Sequence, residues 1–293
     1  MSKPTVAIVG LNGFLGKPVI HALESDTFVD KVSFPVKAVT RSPKPSTDRI
    51  QYVKGNIGSG DVDNLAQELK GVDVLVELTG GSPELFSGFE KLVASVKPKL
   101  VIPSQFGTEL DKSDKIFPGF LGFKQDHSQA LRKTGAKVVD IITSLFAAPS
   151  SFLYEIVAHL GINASANEVT YLGRPEQKIS ISRIEDIGYA IVSVASKKPS
   201  ELPDKVRVQS QVITQQDVVK RYEETHNVKL RVNYVSAEDA LKAGQAKYAQ
   251  GFQFQDFLYY LNVLASQGVG VYFTENEDEI VNPGEKLWKW HKF

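Results

Sequence analysis

Residues 6–18 read VAIVGLNGFLGKP, and this stretch decides the fold. Gly10, Gly13 and Gly16 stand three apart, between the apolar run TVAIVG (5–10) and GKPVIHALES (16–25), which has the pattern of a helix. A strand that turns through glycines directly into a helix is what a dinucleotide pyrophosphate requires. Without side chains the backbone can turn sharply, approach the phosphates and pack the helix close to the strand. The helix start then offers unbonded N–H groups and the positive end of its dipole. Three glycines also suit a purely structural turn, so the rest of the chain has to decide.

Working outward, apolar β-rich segments recur at 35–41 (PVKAVTR), 50–55 (IQYVKG), 72–80 (VDVLVELTG), 99–106 (KLVIPSQF) and 137–146 (KVVDIITSLF). Amphipathic segments such as GDVDNLAQELKG (60–71) and SPELFSGFEKLVASVK (82–97) lie between them. Near-continuous apolar strands alternating with helices predict an α/β fold, a Rossmann-type doubly wound parallel sheet covered on both faces. The glycine turn follows the first strand, where such a sheet binds its dinucleotide. Beyond about residue 150 the pattern loosens. Residues 164–196 read as short strands and a helix, with Asp186 placed to cap it, and 212–244 as helix, strand, helix. The aromatic-rich stretch 252–273 reads as a helix facing a core or a pocket. The expectation is a nucleotide-binding domain over 1–150 and a smaller α/β substrate lobe over 151–293, with a soft boundary and segments that return to the main sheet.

Composition excludes several functions. The 293 residues carry 34 basic and 34 acidic side chains, so the basic excess of a nucleic-acid binder is missing. There is no cysteine, which rules out disulfides and cysteine-ligated metals, and the five histidines form no H-E-x-x-H pattern. No apolar run approaches the roughly 20 residues that span a bilayer. The first strand begins almost at once, so no signal peptide is expected. The expected setting is soluble and cytoplasmic.

The end of the second strand selects the nucleotide. An NAD site places a carboxylate there to accept from the ribose 2′-OH. This chain has Arg41, then Ser42 and Lys44. A guanidinium binds a 2′-phosphate through paired, charge-assisted hydrogen bonds and stacks on adenine, and a serine hydroxyl can add a donor. The expected cofactor is NADP(H).

None of the ten tyrosines has a lysine four residues later, so the Tyr-x-x-x-Lys pair of short-chain dehydrogenases is missing. The segment PGFLGFKQDHSQALRKTG (118–135) reads as a helix, with Phe120 four residues before Lys124. A phenyl ring transfers no proton, so acid–base work falls to Lys124 or bound water. Apolar walls and a cationic nicotinamide lower an ammonium pKa toward neutrality. His127 lies three positions on, on the same helix face; such a histidine is more often structural.

The stretches GLNGFLG (10–16), TRS (40–42), VIPSQFGTEL (101–110), FKQDHSQALRKTG (123–135), ISRIEDIGYAI (181–191) and ITQQDVVKRYEETHNVKLRVNYVS (213–236), in this order and spacing, carry a resemblance over nearly the whole chain. The chain resembles the isoflavone-reductase-like and NmrA-like branch of the atypical short-chain dehydrogenases. The resemblance implies an NADP(H)-binding Rossmann domain, with Gly10, Gly13 and Gly16 as the phosphate turn, Asn12 and Phe14 beside it, and Arg41 at the 2′-phosphate. It places Thr79, Gly80 and Phe106 at the cofactor's border and Phe146 between cofactor and substrate. It makes Lys124 the lysine near nicotinamide and substrate, the acid–base residue proposed for the reductases. It implies hydride transfer to a small aromatic or phenolic compound of isoflavone or phenylpropanoid type. The alternative within the same resemblance is a non-catalytic, NmrA-like NADP(H) sensor acting through a regulatory protein partner. Gln105 departs from the pattern, standing where plant members have glutamate, so their substrates do not transfer directly. The aromatics of 252–273 suit either a flat pocket or a core. Trp288 and Trp290 suit a pocket cap or lobe packing.

Overall fold

The computed structural model describes residues 3–42, 44–148 and 160–293. The expected boundary between 150 and 151 lies outside the described residues. The first half runs β1 (Thr5–Val9), α1 (Gly16–Glu24), β2 (Ser33–Thr40), β3 (Ile50–Lys54), α2 (Val62–Glu68) and β4 (Val74–Glu77). It continues with α3 (Pro83–Val96), β5 (Leu100–Ile102), the short α4 (Leu110–Ser113), α5 (Gly122–Arg132) and β6 (Lys137–Val138). The six strands form one sheet, ordered β3-β2-β1-β4-β5-β6, and every pair is parallel. Strand succession therefore reverses between β1 and β4, which opens a crevice at their C-terminal ends, where α/β sheets bind ligands.

The apolar runs explain the two-sided burial. In β1 alternate residues Val6 and Ile8 join Val19 and Leu23 of α1, while Ala7 and Val9 join Leu65 of α2 and Phe89 and Leu92 of α3. A strand with apolar residues at every position is stable only between two helical layers.

The second half runs β7 (Asp140–Ile142), β8 (Leu145–Ala147), β9 (Ile162–Asn163), β10 (Glu168–Leu172), β11 (Lys178–Arg183), α6 (Ile184–Ala195), β12 (Lys205–Arg207) and β13 (Gln211–Thr214). Then come α7 (Gln215–His226), β14 (Arg231–Val235), α8 (Ala237–Tyr248), α9 (Phe257–Gln267) and α10 (Asp278–Val281). Two three-stranded sheets, β14-β10-β9 and β13-β11-β8, surround a separate core that includes Phe117, Phe120, Tyr171, Ile181 and Tyr260. Not all of this half stays with that core. Ile187, Ala190 and Ile191 of α6 and Val206 of β12 pack into the core of the first sheet. Gly188 lets α6 lie on α1: a Cβ there would stand 2.3 Å from the Pro18 carbonyl oxygen.

Three expectations are corrected. The run 137–146 is not one strand. Its parts pair with three different strands, β6 with β5, β7 with β12 and β8 with β11, and Ser144 turns the chain at a φ of +54°. Asp186 does not cap α6, whose N-cap is Arg183. It lies inside the first turn, buried, and its carboxylate accepts from Ser210 Oγ at 2.5 Å and from the His291 backbone N–H at 3.0 Å. Trp288 and Trp290 neither cap a pocket nor pack the lobe. Trp288 stacks on Tyr189 of α6, with ring centroids 5.3 Å apart, and both indoles cover the α1/α6 side of the first core. The chain end thus returns to the nucleotide half, held by Asn282, whose amide donates to the Trp288 carbonyl at 2.9 Å. Among the described residues no helix is long and apolar enough to cross a membrane.

Candidate functional site

The glycine turn lies in the crevice. Gly10 takes a φ of +91°, and a Cβ on it would stand 2.9 Å from the Leu78 carbonyl at the end of β4. A Cβ on Gly16 would stand 1.7 Å from the Leu11 carbonyl oxygen. The turn is closed by Gly13 N–H donating to the Gly10 carbonyl at 2.9 Å and Gly16 N–H to the Gly13 carbonyl at 3.0 Å. No side chain caps α1. Gly16 N–H is taken up within the turn and Pro18 has none, so the first-turn donor of α1 left open to an anion among the described residues is Lys17 N–H.

Asn12 joins this turn to the end of β2, donating to Thr40 Oγ1 at 2.7 Å and to the Ser42 carbonyl at 3.4 Å. Arg41, Ser42 and Lys44 follow, all exposed. Among the described residues the Arg41 guanidinium and the Lys44 ammonium have no ion-pair or hydrogen-bond partner. Two free cations beside a glycine turn fit a dinucleotide that carries an additional phosphate.

A cavity of about 270 Å³ opens between the C-terminal ends of the strands and the lobe. Its walls come from both halves: Gly81 after β4, Gln105 to Thr108 after β5, Phe123 and Lys124 on α5, Ser144 to Phe146 at β8, and Phe254, Phe257 and Leu261. Phe106, Lys124 and Phe146 are thus brought together, whereas Thr79 and Gly80 stand one step outside, on the loop leading to Gly81. Phe14 of the glycine turn stacks on Phe146 with centroids 6.1 Å apart, linking the turn to the cavity mouth. The Thr108 hydroxyl is buried on the wall without a hydrogen-bond partner among the described residues. A larger open hollow of about 660 Å³ lies at the opposite ends of β1, β4 and β5, lined by Lys3, Asp73, Lys99 and others. It meets neither the glycine turn nor Lys124, so size alone does not locate the site.

Lys124 sits in the first turn of α5. Burial pushes its pKa down to about 8, and the Glu77 carboxylate resists that fall. No acceptor pairs with its ammonium among the described residues. The expected helix 118–135 starts only at Gly122, because Leu121 takes a φ of +53°. Phe120 is therefore off the helix and fully buried, stacked on Phe257 at 5.8 Å. The position four residues before Lys124 points into the lobe core, where even a tyrosine would serve packing. Of the other lobe aromatics, Phe254 and Phe257 line the cavity, whereas Tyr260 and Phe273 are core.

Two further residues support the site: Gln105, which the sequence marks only as a departure from the plant pattern, and Glu77, which sequence reasoning missed. Gln105, buried, donates through its amide to Ser128 Oγ at 2.7 Å and to the Lys124 main-chain carbonyl. An ionised glutamate could not donate here; the amide ties the β5 loop to α5. Glu77, on the last position of β4, is fully buried and accepts from Thr79 Oγ1 at 2.8 Å and from the Ser104 N–H at 3.1 Å. Its third contact is His127, whose Nε2 stands 3.1 Å from Glu77 Oε2 and whose Nδ1 stands 2.7 Å from Glu90 Oε1. His127 is buried and stacked on Phe86 at 4.0 Å. A carboxylate inside an apolar strand run was the available signal for Glu77.

The NmrA-like family model matches residues 2–268. The chain belongs to the NmrA-like family. Isoeugenol synthase 1 of Petunia hybrida is 22% identical over 260 residues, covering 83% of this chain and 77% of that protein. A crystal structure of isoflavone reductase superposes with a TM-score of 0.72 at 20% identity, covering 96% of this chain and 95% of that one. A leucoanthocyanidin reductase–NADPH complex from Vitis vinifera superposes with a TM-score of 0.65 at 18% identity, covering 92% and 89%. These likenesses establish the Rossmann-type fold.

Proposed function

We propose that this NmrA-like chain is an NADPH-dependent reductase acting on a small aromatic or phenolic substrate, with Lys124 as its acid–base group. The observation that carries the reading is the placement of an unpaired amine, its pKa near 8, on the wall of a mostly apolar cavity beside the glycine turn. The reductase and synthase names of the relatives support it.

The glycine turn fits the pyrophosphate because its Cβ positions are already occupied by backbone. Gly10, Asn12, Gly13, Phe14 and Gly16 would form that cradle. Arg41, Ser42 and Lys44 would meet the 2′-phosphate, and Thr79, Gly80, Phe106 and Phe146 would border the nicotinamide end. The bound nicotinamide supplies the hydride. Lys124, as ammonium, supplies the proton that balances it at the substrate oxygen, and regains one from solvent afterwards. Phe123, Phe254 and Phe257 line the cavity and offer flat surfaces to an aromatic ring, which would in turn cover the exposed Phe123 and Phe254. The Thr108 hydroxyl offers a hydrogen bond to a polar substituent.

The test is NADPH oxidation by the purified chain against aromatic ketones, aldehydes and phenylpropenyl esters, with Lys124→Ala alongside. Turnover that disappears in the variant while NADPH still binds supports the reading. Tight NADPH binding without turnover on any of them favours a sensor.

A further inference from the structure

Glu77, His127 and Glu90 make no direct contact with the cavity, yet they form a continuous line of hydrogen bonds beneath it. Glu90, on α3, has a side chain about a third exposed (32%), whereas those of His127 and Glu77 are at 1% and 0%. Both ring nitrogens of His127 face carboxylate oxygens, at 2.7 and 3.1 Å. Only the doubly protonated ring donates to both, so the cluster favours imidazolium. Lys124 lies one turn back on the same face of α5. His127 bonds the buried Glu77 carboxylate directly, and Lys124, without a hydrogen bond to it, lies near enough to feel its charge.

We infer that Glu77 is a positioning residue whose negative charge, bonded to His127 alongside that of Glu90, also acts on Lys124, so that the protons on His127 and Lys124 are coupled through it. Other charges on the packed elements are committed elsewhere or point outward. Arg132 pairs with Asp140 and Lys137 with Asp204, while Glu84 and Lys91 of α3 and Asp126 of α5 are exposed. The directions agree: Glu77 and Glu90 raise the His127 pKa against its burial, and Glu77 alone opposes the burial that lowers Lys124. Imidazolium at 127 partly cancels Glu77 and releases the Lys124 proton more readily. A neutral ring would leave Glu77 uncancelled and hold that proton. The inference rests on the proposed role of Lys124 only for its catalytic consequence.

The test needs no substrate. The pH dependence of Lys124 acetylation by trace acetic anhydride, read by peptide mass spectrometry on the full chain, reports the fraction of free amine. The native midpoint is expected near 8. Glu77→Gln should lower it by about one unit and His127→Gln should raise it by about one unit, because each removes one sign of charge from the pair. Opposite shifts are the signature. Loosened packing would rehydrate Lys124 and raise both midpoints together. No shift in either variant, or shifts of the same sign, would overturn the inference. Should Glu77→Gln fail to fold, ring-nitrogen NMR of native His127 decides: a ring that stays doubly protonated above the ordinary imidazole range is required, and a single neutral tautomer within that range contradicts it. If the opposite shifts appear while Lys124→Ala keeps its turnover, the coupling through Glu77 stands and the catalytic reading of Lys124 falls.

Discussion

Asn12 Nδ2 donates to Thr40 Oγ1 at 2.7 Å, which holds the glycine turn and the end of β2 as one surface. A pyrophosphate on the turn and an adenosine ribose beside Arg41 would then be read by groups fixed relative to each other. Preorganisation of this kind lowers the entropic cost of binding.

Gly16→Ala tests the turn. The added Cβ would stand 1.7 Å from a backbone oxygen rather than a side chain that can swing away, so the turn itself has to open. NADPH affinity should fall by about a hundredfold or more, as expected when close backbone approach is lost at a phosphate turn. Fluorescence titration measures it, with circular dichroism as the control for folding.

Arg41→Asp tests the choice of nucleotide. The guanidinium is exposed and unpaired among the described residues, so its removal disturbs little else. Losing one charge-assisted contact and gaining a repulsion should weaken NADPH by about 10- to 100-fold while NADH binding holds or improves. An unchanged preference in paired titrations would count against the assignment.

Lys124 sets the expected pH profile. Its pKa is lowered to about 8, and the proton-donating form is the ammonium. Activity in the reductive direction should therefore be sustained below pH 8 and decline as pH rises through that value. Lys124→Arg, which stays charged, should lose this alkaline limb, and Lys124→Ala should lose about 10²- to 10⁴-fold in kcat. Initial rates from pH 6 to 10 check both.

Trp288→Ala tests the returning chain end. The indole is buried against Tyr189, and its loss should cost about 3 kcal/mol of stability. Urea unfolding measures the cost, and NADPH affinity at saturating protein stability should change little.

The sheet and its crevice were legible because apolar runs, helical periods and the glycine spacing all require the same layered arrangement. The place of Arg41 just after β2 was legible for a similar reason, since the end of the second strand has a fixed relation to the turn; its role at a 2′-phosphate is the proposal that Arg41→Asp tests. Local pattern could not show partners distant in sequence. The run 137–146 looks uniform, but three separate strands claim its backbone. Asp186 has the residue type of a cap, yet its partners, Ser210 and His291, lie 24 and 105 positions away. Glu77 and His127, 50 residues apart, hid their pairing in the same way. The trait that set Phe120 apart, its lack of a transferable proton, was visible; its exclusion from α5 was not, because that follows from the left-handed turn at Leu121.

The most direct measurement is a paired titration of the native chain with NADPH and NADH, following quenching of its two tryptophans or nicotinamide fluorescence. A glycine turn fixed beside Arg41 and Lys44 predicts saturable 1:1 binding of NADPH, at least about tenfold tighter than NADH. Equal affinity for the two, or no saturable binding of either, would contradict the assignment of this crevice as an NADPH site.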